Sequence, residues 1–255
     1  MRINILSITI FVCCSFFSFN VNAQCNPDDE VESWLSWGKS WENFALDYFP
    51  MSVEREVEIG DSLYIEMIKD QKLLKSHPKK PMLDRVMSRL TPHVNRKGIV
   101  YRTHILDDDE MVNAYAIAGG HVFITSKMLD WVDSEDELAF VLAHEISHVD
   151  DKHSLRKVQK ILLGGQYFGE YGIMAANIEL FLSQPLGQID EYTADRLGAN
   201  LMVKAGYDPR KGLEFFEKMA HSEEYNEIEK MIRTHPYSTE RHNCLSDYMR
   251  NELNR

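Results

Sequence analysis

The stretch LAHEISHVDDKH, residues 142–153, sets His144 and His148 four apart with Glu145 directly after the first. Two imidazoles at that spacing can bind one metal ion, and a carboxylate beside them can move a proton, which is the working set of metal-assisted hydrolysis. With 10 His and 22 Glu in 255 residues, about 0.03 such matches are expected by chance, so the pattern calls for a reason. On an α-helix, residues four apart lie one turn on and about 40° round, so the two histidines project side by side. Their ring nitrogens can hold one Zn2+ at about 2.0–2.1 Å. Glu145, about 100° round from His144, comes near the metal's open position. The competing reading is a pair of solvent-facing histidines. Leu138, Phe140, Val141, Leu142, Ile146 and Val149 argue against it, because they cover most of this helix and leave its polar groups buried. Buried polar groups need a compensating partner, and a metal is a good one.

A catalytic zinc site takes three protein ligands and keeps a fourth place open. Glu191, in EYTAD and 43 residues after His148, is the third candidate. Asp195 follows one turn later, placed to accept a hydrogen bond from the far nitrogen of a ligand histidine and so fix its tautomer. Two acids at this spacing alone describe a solvated helix face; beside the histidine pair the ligand reading is preferred. His235 is a candidate donor to the oxyanion of a tetrahedral intermediate, supported by Arg241 or Tyr237. It could instead fill the fourth metal position or cap a helix. His121 and His153 read as structural.

The elements that must position these groups are mostly helical. Ser134, with Glu137 three residues on, forms a capping box that starts the motif helix. Apolar patterning predicts further helices over residues 54–75, 82–90, 189–204, 210–221 and 238–251. Trp34, Trp37, Trp41, Phe44 and Tyr48 recur at steps of three and four, giving an aromatic-striped helix over about residues 31–49. That stripe packs on the main body or, as the alternative, meets an envelope protein partner through Trp34, Trp37 and Trp41. Residues 99–106 and 121–125 are rich in β-branched and aromatic types, predicting a small β-sheet beside the motif helix. Asn113, Ala114 and Tyr115, with the glycines that follow, precede the second of these runs. They are candidates for an edge strand to which an extended peptide adds through its backbone. Residues 155–184 are apolar but interrupted, too broken for a membrane span, and could act as a lid.

Residues 1–23 have the layout of a secretory signal peptide: Arg2, an apolar run, then a small-residue cleavage site at 21–23. The mature chain, residues 24–255, is long enough for one domain with a sizeable core. It retains Cys25 and Cys244, which could pair in an oxidising compartment. The net charge of −12 argues against nucleic acid and against docking on anionic lipid. The implied localisation is export across the inner membrane, with the periplasm as destination.

Several segments, in order, resemble the zinc metallopeptidases of the HtpX and CAAX prenyl protease family, gluzincins carrying HExxH and ExxxD, in their soluble secreted form. These are EIG at residues 58–60, NAYAIAGGHVFIT at 113–125, ELAFVLAHEISHVDDKH at 137–153, EYTADRLG at 191–198 and THPYSTER at 234–241. Ala118 stands where proline is common, and Ser147 where glycine is common. The resemblance spans a core over about residues 54–245 and implies an α+β, mostly helical, zincin-like metallopeptidase domain. It implies one zinc per chain on His144, His148 and Glu191, with Glu145 as catalytic acid and base. A water acidified by zinc would lose its proton to Glu145, attack the scissile carbonyl, and the leaving amine would collect that proton. Asn113, Ala114, Tyr115 and Arg241 are the candidate substrate contacts. The expected function is an endopeptidase of cell-envelope quality control that cuts unfolded or flexible polypeptides. The alternative is a zinc-containing, chaperone-like module that binds such chains and rarely cuts.

Overall fold

A computed structural model describes residues 50–164, 186–221, 235 and 239–253. The expected leader, the aromatic-striped helix over 31–49, Cys25, Tyr237 and residues 165–184 of the suggested lid lie outside the described residues.

The chain enters on α1 (Val53–Met67). The Ser52 side chain accepts the Arg55 N–H at 3.2 Å, and Glu54 and Glu56 set negative charge against the positive end of the helix dipole. The pattern predicts this helix to residue 75, but it stops at Met67. Leu73–Leu74 instead form β1, pairing antiparallel with Leu106 and Ile105. Apolar residues there continue the helical spacing while serving the sheet, so periodicity alone could not separate the two. Helix α2 (Lys80–Leu90) follows, then β2 (Arg102–Leu106), β3 (Ala114–Ile117) and β4 (His121–Thr125).

The sheet order is β1-β2-β4-β3, with β4 parallel to β2 and antiparallel to β3. All five residues of β4 are buried, as a central strand covered on both faces requires. Val122 and Ile124 face the main core, while Phe123 joins Tyr115, Ile117 and the Ile59, Leu63 and Met67 face of α1. Between β3 and β4, Gly119 and Gly120 take φ of 81° and 89°, a left-handed backbone that glycine adopts at little cost.

A short helix, α3 (Ser126–Trp131), leads to α4 (Glu135–Asp150), the central helix, buried from Glu137 to Val149. Ser134 caps it by accepting the Glu137 N–H at 3.1 Å. The returning bond of the expected capping box goes one residue further out, from the Asp133 N–H to Glu137 Oε2 at 2.7 Å. After α4 come α5 (His153–Gly164), α6 (Gln188–Lys204), α7 (Lys211–Ala220) and α8 (Thr239–Glu252). Helices α2, α4, α6, α7 and α8 share the larger core with one face of the sheet, and α1 covers the other face. The expected α+β, mostly helical fold with a small sheet beside the motif helix is what the structure has. No helix among the described residues is long and apolar enough to cross a membrane.

Candidate metal centre and cleft

Helices α4 and α6 bring the motif residues together. They can approach closely because Gly198 lies against the backbone of α4; a Cβ there would come within 3.1 Å of the His144 nitrogen. Asp195 and Glu191, one and two turns before it, therefore face the histidine pair. His144 Nε2 and His148 Nε2 are 3.0 Å apart. Glu191 offers Oε2 at 3.4 Å from His144 Nε2 and Oε1 at 3.4 Å from His148 Nε2. His235 completes the group, its Nδ1 3.3 Å from His144 Nε2 and 3.2 Å from Glu191 Oε1. One ligand atom from each of the four lies within 4.8 Å of the others, and all four residues are buried.

These separations test whether the residues fit a metal. Four donors on arms of about 2.0–2.1 Å form a tetrahedron with edges of about 3.4 Å. The spacings among His144, His148 and Glu191, and from His235 to His144 and Glu191, are 3.0 to 3.4 Å, close to that edge. A buried polar atom without a partner points the same way: Glu145 Oε2 has none among the described residues, beside a cluster of nitrogen and oxygen donors. The residues present fit a metal ion with nitrogen and oxygen ligands.

The electrostatics divide the acids by role. Burial raises the Asp195 pKa, but the Arg241 charge and its hydrogen bonds hold this carboxyl below the usual range. Arg241 donates from Nε at 2.8 Å and Nη2 at 2.7 Å to Asp195, and its Nη1 lies 2.8 Å from Glu191 Oε2. Burial likewise opposes ionisation of Glu191, yet the His235 and Arg241 charges keep it well below the carboxylate range. Glu145 behaves differently: burial pushes its pKa up, against the charges of His235 and His144. Among the protein groups by themselves, burial lowers the His144 pKa, but Asp195 and Glu191 carry it up to about 10. His148 is pushed well down, first by burial and then by the His144 charge. Such opposed shifts on adjacent groups are typical of working sites.

Each residue singled out in the sequence now has a place. His144, His148, Glu191 and Glu145 converge. Asp195 Oδ1 comes within 2.9 Å of His144 Nδ1. His235 sits among the ligand atoms, with Nε2 3.4 Å from Glu145 Oε1. Arg241, expected at the substrate, bonds to Glu191 and Asp195 and also lines the cleft. Ala114 lines the cleft. Tyr115 does not: its ring stacks on Phe123 at 5.1 Å toward α1 and its hydroxyl donates to Gln71, so it belongs to the core. The Thr125 N–H bonds to the Asn113 carbonyl, so alternation turns Tyr115 and Ile117 toward β4 and leaves Ala114 and Ala116 on the open edge.

Two residues near the centre were not assigned a role in advance. His153, read as structural, is 2.9 Å from His148, Nδ1 to Nδ1. Lys157 on α5 feels the charges of Glu145 and Glu191, while burial pulls its pKa down to about 8. Nothing in the sequence flags either, since both depend on how α5 folds back. A cleft opens beside the centre, with Phe140, Val141, Phe215, Phe216 and Met219 as its apolar wall and His144, Glu145, His235 and Arg241 at its polar end.

A buried helix carrying HExxH, an acid from a neighbouring helix, a carboxylate with raised pKa and an edge strand along the cleft define a metallopeptidase domain. The chain belongs to peptidase family M48, whose pattern, described as Peptidase family M48, matches residues 77–249. It is similar to the beta-barrel assembly-enhancing protease of Yersinia pestis, 28% identical over 225 residues, which are 80% of this chain and 45% of that protein. The putative beta-barrel assembly-enhancing protease of Vibrio cholerae is 30% identical over 214 residues, 75% of this chain and 43% of that one. The mitochondrial metalloendopeptidase OMA1 of Schizosaccharomyces pombe is 26% identical over 254 residues, 89% of this chain and 74% of its own. The chain thus spans less than half the length of the two bacterial relatives.

Proposed function

We propose that the protein is a zinc-dependent endopeptidase that cuts unfolded or flexible polypeptides in the cell envelope. The observation that carries this reading is the convergence of His144, His148 and Glu191 on one point, with the partnerless Glu145 oxygen beside it. Zinc held there would supply the acidity that turns water into a nucleophile at neutral pH and the charge that polarises a carbonyl. The chain's own residues do the rest. Glu145, with its pKa raised by burial, takes the proton of the attacking water and returns it to the leaving amine. Arg241 holds Glu191 and Asp195 in place. The position of His235 among the ligand atoms favours a fourth donor in the resting centre over an oxyanion donor.

Substrate binding follows from the open edge of β3. Ala114 presents its backbone N–H and C=O there, and an extended chain can add to it regardless of sequence. Asn113, the other expected contact on this strand, is buried and bonds through its backbone to Thr125, so the edge offered to substrate begins at Ala114. The apolar wall favours a large apolar side chain beside the scissile bond. Extended segments with exposed apolar residues are what unfolded proteins offer and compact folds withhold. The names of the bacterial relatives, beta-barrel assembly-enhancing protease, agree with work in the cell envelope. Cys244 is buried and disulfide-bonded, with its partner outside the described residues; Cys25 is our assignment. A disulfide suits an oxidising compartment and hence the secretory leader.

The test compares the mature chain with Glu145→Gln on reduced, unfolded casein. Cleavage by the parent and a loss of about 100–10,000-fold in the variant, with zinc retained in both, is the expected result. Retained zinc without cleavage in the parent would favour a chaperone-like binding module instead.

A further inference from the structure

We propose that His153, backed by Asp151, is a positioning residue that fixes the tautomer and ring orientation of His148. The inference rests on the reading of His148 as a metal ligand. His153 is 2% exposed, its Nδ1 lies 2.9 Å from His148 Nδ1, and its Nε2 lies 2.8 Å from Asp151 Oδ2. A carboxylate only accepts, so His153 Nε2 must donate to Asp151. A metal ion on His148 Nε2 leaves that ring's proton on Nδ1, so His153 Nδ1 is the acceptor between the two rings. The proton between the two rings then belongs to His148 Nδ1. His148 Nε2 is thereby left with its lone pair, and it is this atom that faces His144 Nε2 and Glu191.

The backbone is bent to make this contact. On an uninterrupted helix, residue 153 would lie about 140° round from residue 148, on another face. Helix α4 ends at Asp150, and Lys152 takes a φ of 63°, the one positive φ outside glycine among the described residues. Such a conformation is uncommon for lysine and marks a turn the surroundings must enforce. It folds the chain back so that α5 opens on His153 against His148. The two ligand histidines therefore have different supports. His144 has the Asp195 carboxylate, itself paired with Arg241, whereas His148 has the His153 ring.

The experiment reads metal affinity and separates orientation from packing. His153→Phe keeps a buried ring and removes the acceptor; His153→Asn keeps an oxygen acceptor near the place of Nδ1. Zinc dissociation constants are measured by chelator competition, with thermal unfolding of the chelator-treated proteins alongside. We expect a loss of about 10–100-fold in zinc affinity for His153→Phe, recovered to within a few-fold by His153→Asn, with the metal-free melting temperatures close together. Asp151→Ala, at a half-exposed side chain, should lose affinity in the same direction and to a smaller extent, and it keeps the test open if the Phe variant fails to fold. Parental affinity in His153→Phe, or in Asp151→Ala where only that variant folds, overturns the inference, as does an equal loss in the Phe and Asn variants. A parent that binds no zinc overturns the metal reading and this inference with it.

Discussion

Arg241 shows how much one side chain carries at the centre. It is 4% exposed and joins Glu191 to Asp195, so the acids keep their charge while buried. Removing one partner of a buried charged group leaves the others uncompensated, at a cost of about 3–5 kcal/mol. Arg241→Leu should therefore unfold at a clearly lower urea concentration than the parent, even in excess zinc. An unchanged midpoint would mean the triad is not held as described. The pair of histidines with Glu145 was legible in the sequence because one helix sets their spacing. Glu191 and Asp195 were legible once those were in hand, for the same reason. What Arg241 and His153 touch was not, because each contact joins segments whose relative placement no periodicity encodes, and Lys152 has no composition that betrays a left-handed turn.

At the scale of elements, α1 is fastened to the sheet at two points with separate signatures. The first is Gly60, where a Cβ would stand 2.1 Å from the Ala118 carbonyl oxygen. In an exposed helix, Gly→Ala stabilises by about 1 kcal/mol. Here Gly60→Ala should destabilise by about 1–3 kcal/mol, because α1 must lift from the β3–β4 connection. A stabilised variant in denaturant unfolding would contradict the packing. This also explains why glycine closes the EIG segment, which the pattern of α1 left unexplained.

The second fastening is a chain of side chains. His121 Nε2 bonds to Asp61 Oδ1 at 2.8 Å, His121 Nδ1 lies 2.9 Å from His104 Nε2, and Tyr64 stacks on His121 at 4.8 Å. Burial, then the charges of His121 and Arg102, pulls the His104 pKa from 6.5 to about 4. A lowered folded-state pKa means the unfolded chain takes up the proton first as pH falls. The stabilisation is therefore complete above about pH 6.5 and is lost progressively toward about pH 4. The shift amounts to about 3 kcal/mol at most, reduced to about 1–2 by the partial exposure of the ring. Stability measured from pH 7.5 to 4 should fall more steeply in the parent than in His104→Phe. Equal slopes would remove His104 from the account.

At the scale of the whole molecule, one buried helix serves as core and active site at once. Helix α4 is covered by the sheet, α2, α6 and α7, and its polar residues are tolerable there because they meet other polar groups and, as proposed, a metal ion. Stability and metal binding should thus be linked: a ligand that binds only the folded state stabilises it by mass action. The most direct measurement is the zinc-to-protein ratio of the purified mature chain beside His148→Phe, with circular dichroism on both. About one zinc per chain in the parent, and almost none in a still-folded variant, is the predicted result. A parent without zinc, or a variant that keeps it, would contradict the assignment of His144, His148 and Glu191 as the metal site.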